Sequence, residues 1–177
     1  MASVIRRQEV AFLVDFHGFA LQEYDDMEFP ASFPEGREVS ADRPFLTAYG
    51  MRLDFESAAH THTAVMVTEV WDAEPPQNET VWEAEGEAQL VSVTGRLSVE
   101  VIAGSAPSTV ELGIEGMRWQ VRAYSSGRAA VAQLAADGVP RRGALPRTVL
   151  AGFPSDLRGR RGRRCCRPRR RGQLTFT

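Results

Sequence analysis

The sequence contains no lysine, and arginine supplies all 21 of its basic side chains. This bias fits translation from a GC-rich bacterial genome more than any physical need for guanidinium groups. No apolar run reaches the length of about 18 residues that a transmembrane helix requires, so we expect no membrane span. Residues 1–10 carry two arginines but no apolar segment with a small-residue cleavage site, so we expect no secretory signal either.

Cysteine is nearly absent. The two cysteines, Cys165 and Cys166, are adjacent in the chain and form at best a strained disulfide. No second pair of cysteines or histidines stands at zinc-finger spacing. The lack of cysteine before Cys165 agrees with a cytoplasmic protein that needs no disulfides.

The motifs of common enzyme classes are also missing. The sequence has no Gly-x-Ser-x-Gly nucleophile turn, no phosphate-binding loop and no dinucleotide glycine fingerprint. Carboxylates are abundant, but none stands out as an acid–base pair. We therefore expect a protein that is not an enzyme and that uses no cofactor.

Charge is divided unequally along the chain. Residues 1–140 contain 22 acidic residues and 9 arginines, a net charge of −13, whereas residues 141–177 contain 1 aspartate and 12 arginines, a net charge of +11. The near-neutral total of −2 therefore hides an acidic body and a basic tail.

The acidic body carries strand patterns, with apolar side chains at every second position. The first strand runs from Val10 to Phe16 with its apolar residues on one face. The continuous apolar run Ala64–Trp71 is typical of a strand that is buried on both faces. The inward phase of these strands predicts a buried core of Phe12, Val14, Val65, Val67, Val99, Leu112, Trp119 and Val121.

Two short glycine turns, Thr94-Gly95-Arg96 and Glu115-Gly116, lie between apolar strands and predict hairpins. An alanine-rich stretch followed by Gly138 and Pro140 predicts one short helix near residues 127–137. Closely spaced strands with a single helix indicate an all-β fold over residues 1–140. The expected architecture is an antiparallel β-sandwich or an open barrel.

Residues 141–177 are predicted to be a disordered, Arg-rich tail. From Gly143 onward we expect poor packing, because so many arginines leave too little apolar area to offset the ordering entropy. One interpretation is a polybasic arm that binds nucleic acid. The other is a reading-frame shift, since shifted codons across Gly143–Pro154 permit an alternating, aromatic-rich strand that would complete the sheet.

The histidines offer an alternative function. His60 and His62 are two residues apart and would share a face on a strand, where two imidazoles could ligate a metal. His17 or an acidic residue would supply a third ligand. The alternative prediction is therefore a metal- or ligand-binding β-barrel that uses His60 and His62.

The acidic clusters give the favoured site. On a strand, Glu83, Glu85 and Glu87 share one face, opposite Trp82 and Ala84. An anionic face beside aromatic residues could bind a basic partner with electrostatic steering. The predicted partner-binding residues of the two clusters are Tyr24, Asp25, Asp26, Glu28, Trp82, Glu83, Glu85 and Glu87.

The layout of Val10–Tyr124 carries a family resemblance. A hairpin containing Tyr24 is followed by an acidic loop with prolines, Ala48-Tyr49-Gly50, a strand ending at Phe55, a long central strand and two further hairpins. This order resembles the competence-associated nuclease inhibitor family and small immunity proteins built on a similar β-sandwich. The resemblance implies a cytoplasmic, non-enzymatic protein that masks a basic nuclease or toxin surface. The Arg-rich tail departs from it, because a basic arm would compete for the acidic face.

The sequence therefore predicts a protein-binding module, acting as an acidic inhibitor or immunity-type protein on a basic partner such as a nuclease. No membrane partner is expected. Nucleic acid is expected as a partner only if the tail is genuine.

Overall fold

The computed structural model describes residues 1–25, 43–102, 104–137 and 147–155, with the side chains of residues 104–107 outside that description. This part of the chain contains ten strands and one helix. They are β1 (Val4–Val14), β2 (Gly18–Glu23), β3 (Leu46–Ala48), β4 (Arg52–Glu56), β5 (His62–Trp71), β6 (Ala84–Ser92), β7 (Arg96–Val101), β8 (Gly104–Glu111), β9 (Met117–Ser126), α1 (Arg128–Ala136) and β10 (Arg147–Pro154). No helix in these ranges is long and apolar enough to cross a membrane.

The strands form two sheets packed face to face, which confirms the predicted all-β sandwich with one short helix. Sheet A has the order β1-β5-β10-β9-β6, and sheet B has the order β3-β4-β2-β7-β8. The pair β5–β10 is parallel. The other described strand pairs are antiparallel.

The two glycine turns predicted as hairpins instead carry the chain from one sheet to the other. β6 pairs with β9 while β7 pairs with β2 and β8, so the strands on either side of Gly95 are not partners. Gly95 has φ of 71°, and a Cβ there would lie 2.9 Å from the backbone carbonyl of Ile114. A tight turn with a glycine is needed in either geometry, which is why the local sequence does not separate a hairpin from a crossing between sheets.

The first strand also ends earlier than its alternation predicted. The chain reverses after Asp15, which bridges to Gly18, and β2 then joins the other sheet. Phe16 and His17 occupy the turn with φ of 49° and 63°, and Phe16 is 55% exposed. Phe16 therefore does not belong to the buried face of the first strand.

The predicted core is confirmed at every position except Val65. The other seven predicted residues are buried between the sheets or on the covered outer side of sheet A, with Trp119, Val14 and Val99 fully enclosed. On β5, Ala64 and Met66 pair with buried residues of β1 and face the core. Val65, between them, faces outward and is only half-buried.

The outer face of sheet A is covered in part by residues 72–83. This segment connects β5 to β6, which are separated in the sheet by β10 and β9, so it has to cross them. Pro75 is buried, and its carbonyl accepts a hydrogen bond of 3.2 Å from the outward-facing Arg122. The outward-facing Val67 and Phe153 are also buried.

β10 contradicts the expectation that residues from Gly143 onward pack poorly. Between Arg147 and Pro154 the chain forms the central strand of sheet A, and Leu150, Ala151 and Phe153 are buried. This expectation is wrong for residues 147–155. It was drawn from the average composition of residues 141–177, which hides a local apolar run that contains one arginine. The strand that the reading-frame interpretation regarded as missing is present in the chain's own frame. Residues 156–177, with their nine arginines, lie outside the described residues.

Candidate functional site

The two acidic clusters lie at opposite ends of β6. Tyr24 and Asp25 follow β2 beside the turn that leaves β6, whereas Trp82 and Glu83 directly precede Ala84. At the rise of a strand, the ten residue steps from Glu83 to Val93 span about 33 Å. Asp26 and Glu28, the other two residues of the first cluster, lie outside the described residues.

Glu23, which belongs to the first acidic cluster but is not among the partner-binding residues predicted from the sequence, organises that cluster. Its side chain is 1% exposed, and its carboxylate accepts hydrogen bonds from the backbone N–H groups of Val93 at 2.8 Å, Thr94 at 3.3 Å and Tyr24 at 3.0 Å. The Thr94 hydroxyl donates a further bond. Burial alone would raise the pKa of Glu23, but these donors outweigh it and lower the pKa below its ordinary value. This carboxylate is therefore committed to holding the turn.

The exposed part of this cluster is aromatic and partly cationic. Tyr24 is 48% exposed, and the Arg96 guanidinium lies 4.3 Å from the centre of its ring. Arg96 also pairs with Glu111 at 2.9 Å. We call Glu23, Tyr24, Asp25 and Arg96 the Glu23 corner. The corner presents the Tyr24 ring with the Arg96 guanidinium packed against it.

Trp82 lies on the same face of sheet A as the β6 carboxylates, and the expectation that it would lie opposite them is wrong. Its ring packs against Tyr124 with centroids 5.5 Å apart, and Tyr124 is the outward-facing partner of Glu85 in the sheet. Because Trp82 precedes β6, the alternation of that strand does not fix its direction. Burial raises the pKa of Tyr124. The neighbouring Val81 is 96% exposed.

Arg122 is a second residue that the sequence did not single out. Its guanidinium Nε donates to Glu87 at 2.8 Å, it forms a further ion pair with Glu74, and it lies 5.5 Å from the Phe153 ring. Burial alone would lower the pKa of Arg122, but the two carboxylates raise it above its ordinary value. The partners that residues 72–83 bring to Arg122 were not visible from the sequence.

Glu83 and Glu85, the other two carboxylates of the cluster at β6, have different contacts. Glu83 accepts hydrogen bonds from the backbone N–H groups of Gly127 at 2.7 Å and Ala129 at 2.8 Å, which lower its pKa and hold the first turn of α1. Glu85 is exposed and makes no ion pair with a described residue. We call Glu74, Val81, Trp82, Glu83, Glu85 and Glu87 the acidic ridge.

The structure does not bring His60 and His62 together as the alternative required. His60 precedes β5, is exposed, and packs against Phe16 and His17 with ring centroids 4.7 and 5.3 Å away. His62 is buried on the inward face and lies 3.2 Å from the Ser57 hydroxyl. The two-residue spacing therefore does not place them on one strand face. Among the described residues, no three His, Cys, Asp or Glu side chains are grouped closely enough to hold a metal ion.

A small pocket at one end of the sandwich was not predicted. Apolar residues such as Phe19, Phe45 and Val131 form much of its wall, and its polar lining residues are Glu56, Ser57, His62, Ser125, Arg128 and Thr148. Ser125 and Thr148 face the core, as Ala123 and Leu150 do two residues away on the same strands. A polar residue at a core position was therefore the signal in the sequence that could have revealed this pocket.

Two solved structures share the fold of this chain. ComJ from Bacillus subtilis, described as an inhibitor of the DNA degrading activity of NucA, matches with a TM-score of 0.57 and 15% identity, over 87% of this chain and 98% of ComJ. The protein described as crocagin biosynthetic gene J matches with a TM-score of 0.59 and 10% identity, over 85% of this chain and 97% of that protein. The implied nuclease-inhibitor-like fold is therefore confirmed. No protein-family model matches the sequence, and no curated protein matches it.

Proposed function

We propose that this chain is a non-enzymatic, cytoplasmic inhibitor that binds a basic protein, such as a DNA-degrading nuclease, and masks its surface. The observation that carries the proposal is the fold shared with ComJ over 87% of the chain. The net charge of −13 over residues 1–140 supports a basic partner, because opposite charges accelerate association.

The acidic ridge is the proposed centre of the contact surface. Glu74, Glu85 and Glu87 supply three negative charges there against the single positive charge of Arg122. Trp82 and the exposed Val81 add apolar area beside these charges. An aromatic anchor with a charged rim is the composition that protein interfaces favour.

The Glu23 corner is the proposed second contact. A standard interface buries about 800 Å² on each partner, which corresponds to a patch about 30 Å across. One partner lying along β6 could therefore contact Trp82 at one end and Tyr24 at the other. Asp25, Asp26 and Glu28 remain predicted contacts beside Tyr24.

The test measures how fast purified NucA, and the NucA-like nucleases encoded in the chain's own genome, cleave DNA as increasing amounts of the full chain are added. We expect inhibition near equimolar protein, weakened by salt. Glu85→Arg should weaken inhibition about tenfold, because a charge reversal at the interface repels the basic partner.

Glu9→Arg is the matched control. Glu9 on β1 and Glu85 on β6 lie on the two edge strands of sheet A. A line of paired residues across the sheet, Val67, Val149 and Tyr124, connects them. Four strand spacings separate the two carboxylates by about 19 Å. Equal loss of inhibition in both variants would reject the ridge as the surface. No inhibition of any of these nucleases by excess protein would reject the proposed function.

A further inference from the structure

Glu85 is the carboxylate of the acidic ridge that the described part of the chain leaves without a close partner. Glu74 and Glu87 both pair with Arg122. Glu83 accepts hydrogen bonds from the first N–H groups of α1. Glu85 is exposed and forms no ion pair with a described residue. It is therefore the carboxylate of the ridge that is free to bind a cation from outside the chain.

An aromatic surface lies directly beside Glu85. Tyr124 is its partner residue on β9, and Trp82 packs against the Tyr124 ring with centroids 5.5 Å apart. Both aromatic residues are half-buried, and the Nε1 atom of Trp82 is buried, so the indole does not present its N–H group to solvent. Burial raises the pKa of Tyr124, so its hydroxyl stays uncharged at neutral pH. The surface therefore combines one negative charge with two aromatic rings.

The chain holds two of its own arginines with the same combination of groups. Arg96 lies 4.3 Å from the centre of the Tyr24 ring and pairs at 2.9 Å with the glutamate opposite it on β8. Arg122 lies 5.5 Å from the centre of the Phe153 ring. It also pairs at 2.8 Å with Glu87, the residue opposite it on β6. In both places a carboxylate on the paired strand and an aromatic ring bind one guanidinium.

The positive charge of Arg122 is outweighed by the carboxylates around it. Arg122 lies two residues from Tyr124 on the same face of β9, and Glu74 and Glu87 both pair with it. These three paired groups together carry one negative charge, and Glu85 adds another. The electrostatic field at the aromatic pair therefore favours a cation.

We propose that Glu85, Trp82 and Tyr124 form a subsite for an arginine side chain of the basic partner. This subsite rests on the proposed function, because the partner supplies the arginine. A guanidinium is planar, so it can stack on an aromatic ring while its N–H groups donate to a carboxylate. A lysine ammonium is a compact, strongly hydrated charge that does not stack in this way. The subsite should therefore prefer arginine to lysine.

The test is an NMR titration of the isotope-labelled full chain with two blocked tripeptides, acetyl-Gly-Arg-Gly-amide and acetyl-Gly-Lys-Gly-amide, at constant ionic strength. The signals followed are the Trp82 Nε1–H and the backbone amides of Glu85 and Tyr124. One exposed subsite binds weakly, so we expect half-saturation on the order of 10 mM with the arginine peptide. The lysine peptide carries the same charge and should require a concentration at least about threefold higher.

Two variants remove the two parts of the subsite separately. Glu85→Gln keeps the shape but removes the charge, and Trp82→Leu keeps apolar contact but removes the ring. Each should raise the half-saturating concentration of the arginine peptide at least about threefold. If Trp82→Leu does not fold, Glu85→Gln decides the question, because it changes only an exposed side chain.

Glu9→Gln and Phe16→Leu are the matched controls. They change an exposed carboxylate on β1 and an exposed aromatic ring in the turn after it, and β1 is the edge strand of sheet A opposite β6. Both variants should bind the arginine peptide like the parent protein. Equal half-saturation with the two peptides, no binding of the arginine peptide, or arginine binding that survives Glu85→Gln would overturn the subsite.

The titration contains no nuclease, so its outcome is separate from that of the inhibition experiment. Inhibition of a nuclease without a preference for the arginine peptide would reject the subsite and keep the proposed function. A preference for the arginine peptide without inhibition of any nuclease would reject a nuclease as the partner and keep the subsite.

Discussion

The two ends of β6 use acidic residues in opposite ways. At the Glu23 corner, the carboxylate of Glu23 is buried, and backbone and hydroxyl donors of the turn after β6 surround it. At the acidic ridge, the carboxylates of Glu85 and Glu87 are exposed on the surface of sheet A. The hydrogen-bond donors around Glu23 take the place of water, whereas water solvates the ridge.

This difference shows that an acidic cluster in the sequence can hold the fold together or face a partner. A buried carboxylate must be satisfied by the protein, because an unpaired buried charge is very costly. An exposed carboxylate contributes little to stability and is available to a partner. The comparison can be tested by changing one group at each end and measuring stability.

Glu23→Ala should have the largest effect. It leaves the Val93 and Thr94 N–H groups and the Thr94 hydroxyl without their acceptor in a buried site, which should cost about 3–5 kcal/mol of unfolding free energy. Denaturant unfolding of the variant measures this. Glu115→Ala, at an exposed carboxylate in a neighbouring turn, is the control and should change stability little. Equal effects would mean that Glu23 does not hold the turn.

The pH dependence of stability should also distinguish the corner. Because the pKa of Glu23 is lowered in the folded chain, its contribution is present above its unfolded pKa and is lost as pH falls through the folded value. The loss should therefore occur below about pH 4, the ordinary range for glutamate. Glu23→Gln should flatten the acid limb of a plot of stability against pH. An unchanged acid limb would contradict the assignment.

Arg122→Met should come next in size. The change keeps apolar contact with Phe153 but leaves Glu74 and Glu87 without their cation and releases the Pro75 carbonyl. We expect a loss of about 2 kcal/mol, since the arginine side chain is largely buried while its partners are exposed. Faster amide hydrogen exchange in residues 72–83 should accompany it. Arg118→Met, which changes an exposed arginine on the same face of β9, should leave exchange there unchanged.

Glu83→Ala should have a smaller effect. It removes the acceptor for the first N–H groups of α1, and losing such a helix-capping contact at an exposed position should cost about 0.5–1 kcal/mol. Circular dichroism and thermal unfolding should detect partial loss of the short helix. A stability loss as large as that of Glu23→Ala would show that the ridge is structural as well.

Glu85→Arg should have the smallest effect on stability, within about 0.5 kcal/mol, because the exposed side chain has no ion pair to lose. Thermal unfolding of this variant beside Glu9→Arg measures it. This result would sharpen the comparison, since the same variant is expected to weaken inhibition of the nuclease. A large loss of stability would make the inhibition experiment uninterpretable at this position.

The site was only partly visible in the sequence. The shared face of Glu85 and Glu87 follows from the two-residue period of a strand, which is a local property. The roles of Glu23 and Arg122 do not, because their partners lie tens of residues away in the chain. His60 and His62 were misjudged for a related reason, since the strand period applies only once β5 has begun.

The sequence by itself determined most of the strands of residues 1–140, where the short helix forms and which side chains fill most of the core, but it did not reveal β10. These features depend on the alternation of apolar residues and on turn residues, both of which act over a few positions. Only the tertiary structure decided which strands pair. β6 and β7 are joined by a short turn yet lie in different sheets, and β10 inserts between β5 and β9 although β5 is about 80 residues away. The physical reason is that a strand pairs wherever its two faces and its backbone groups are best covered, and distant segments supply that cover.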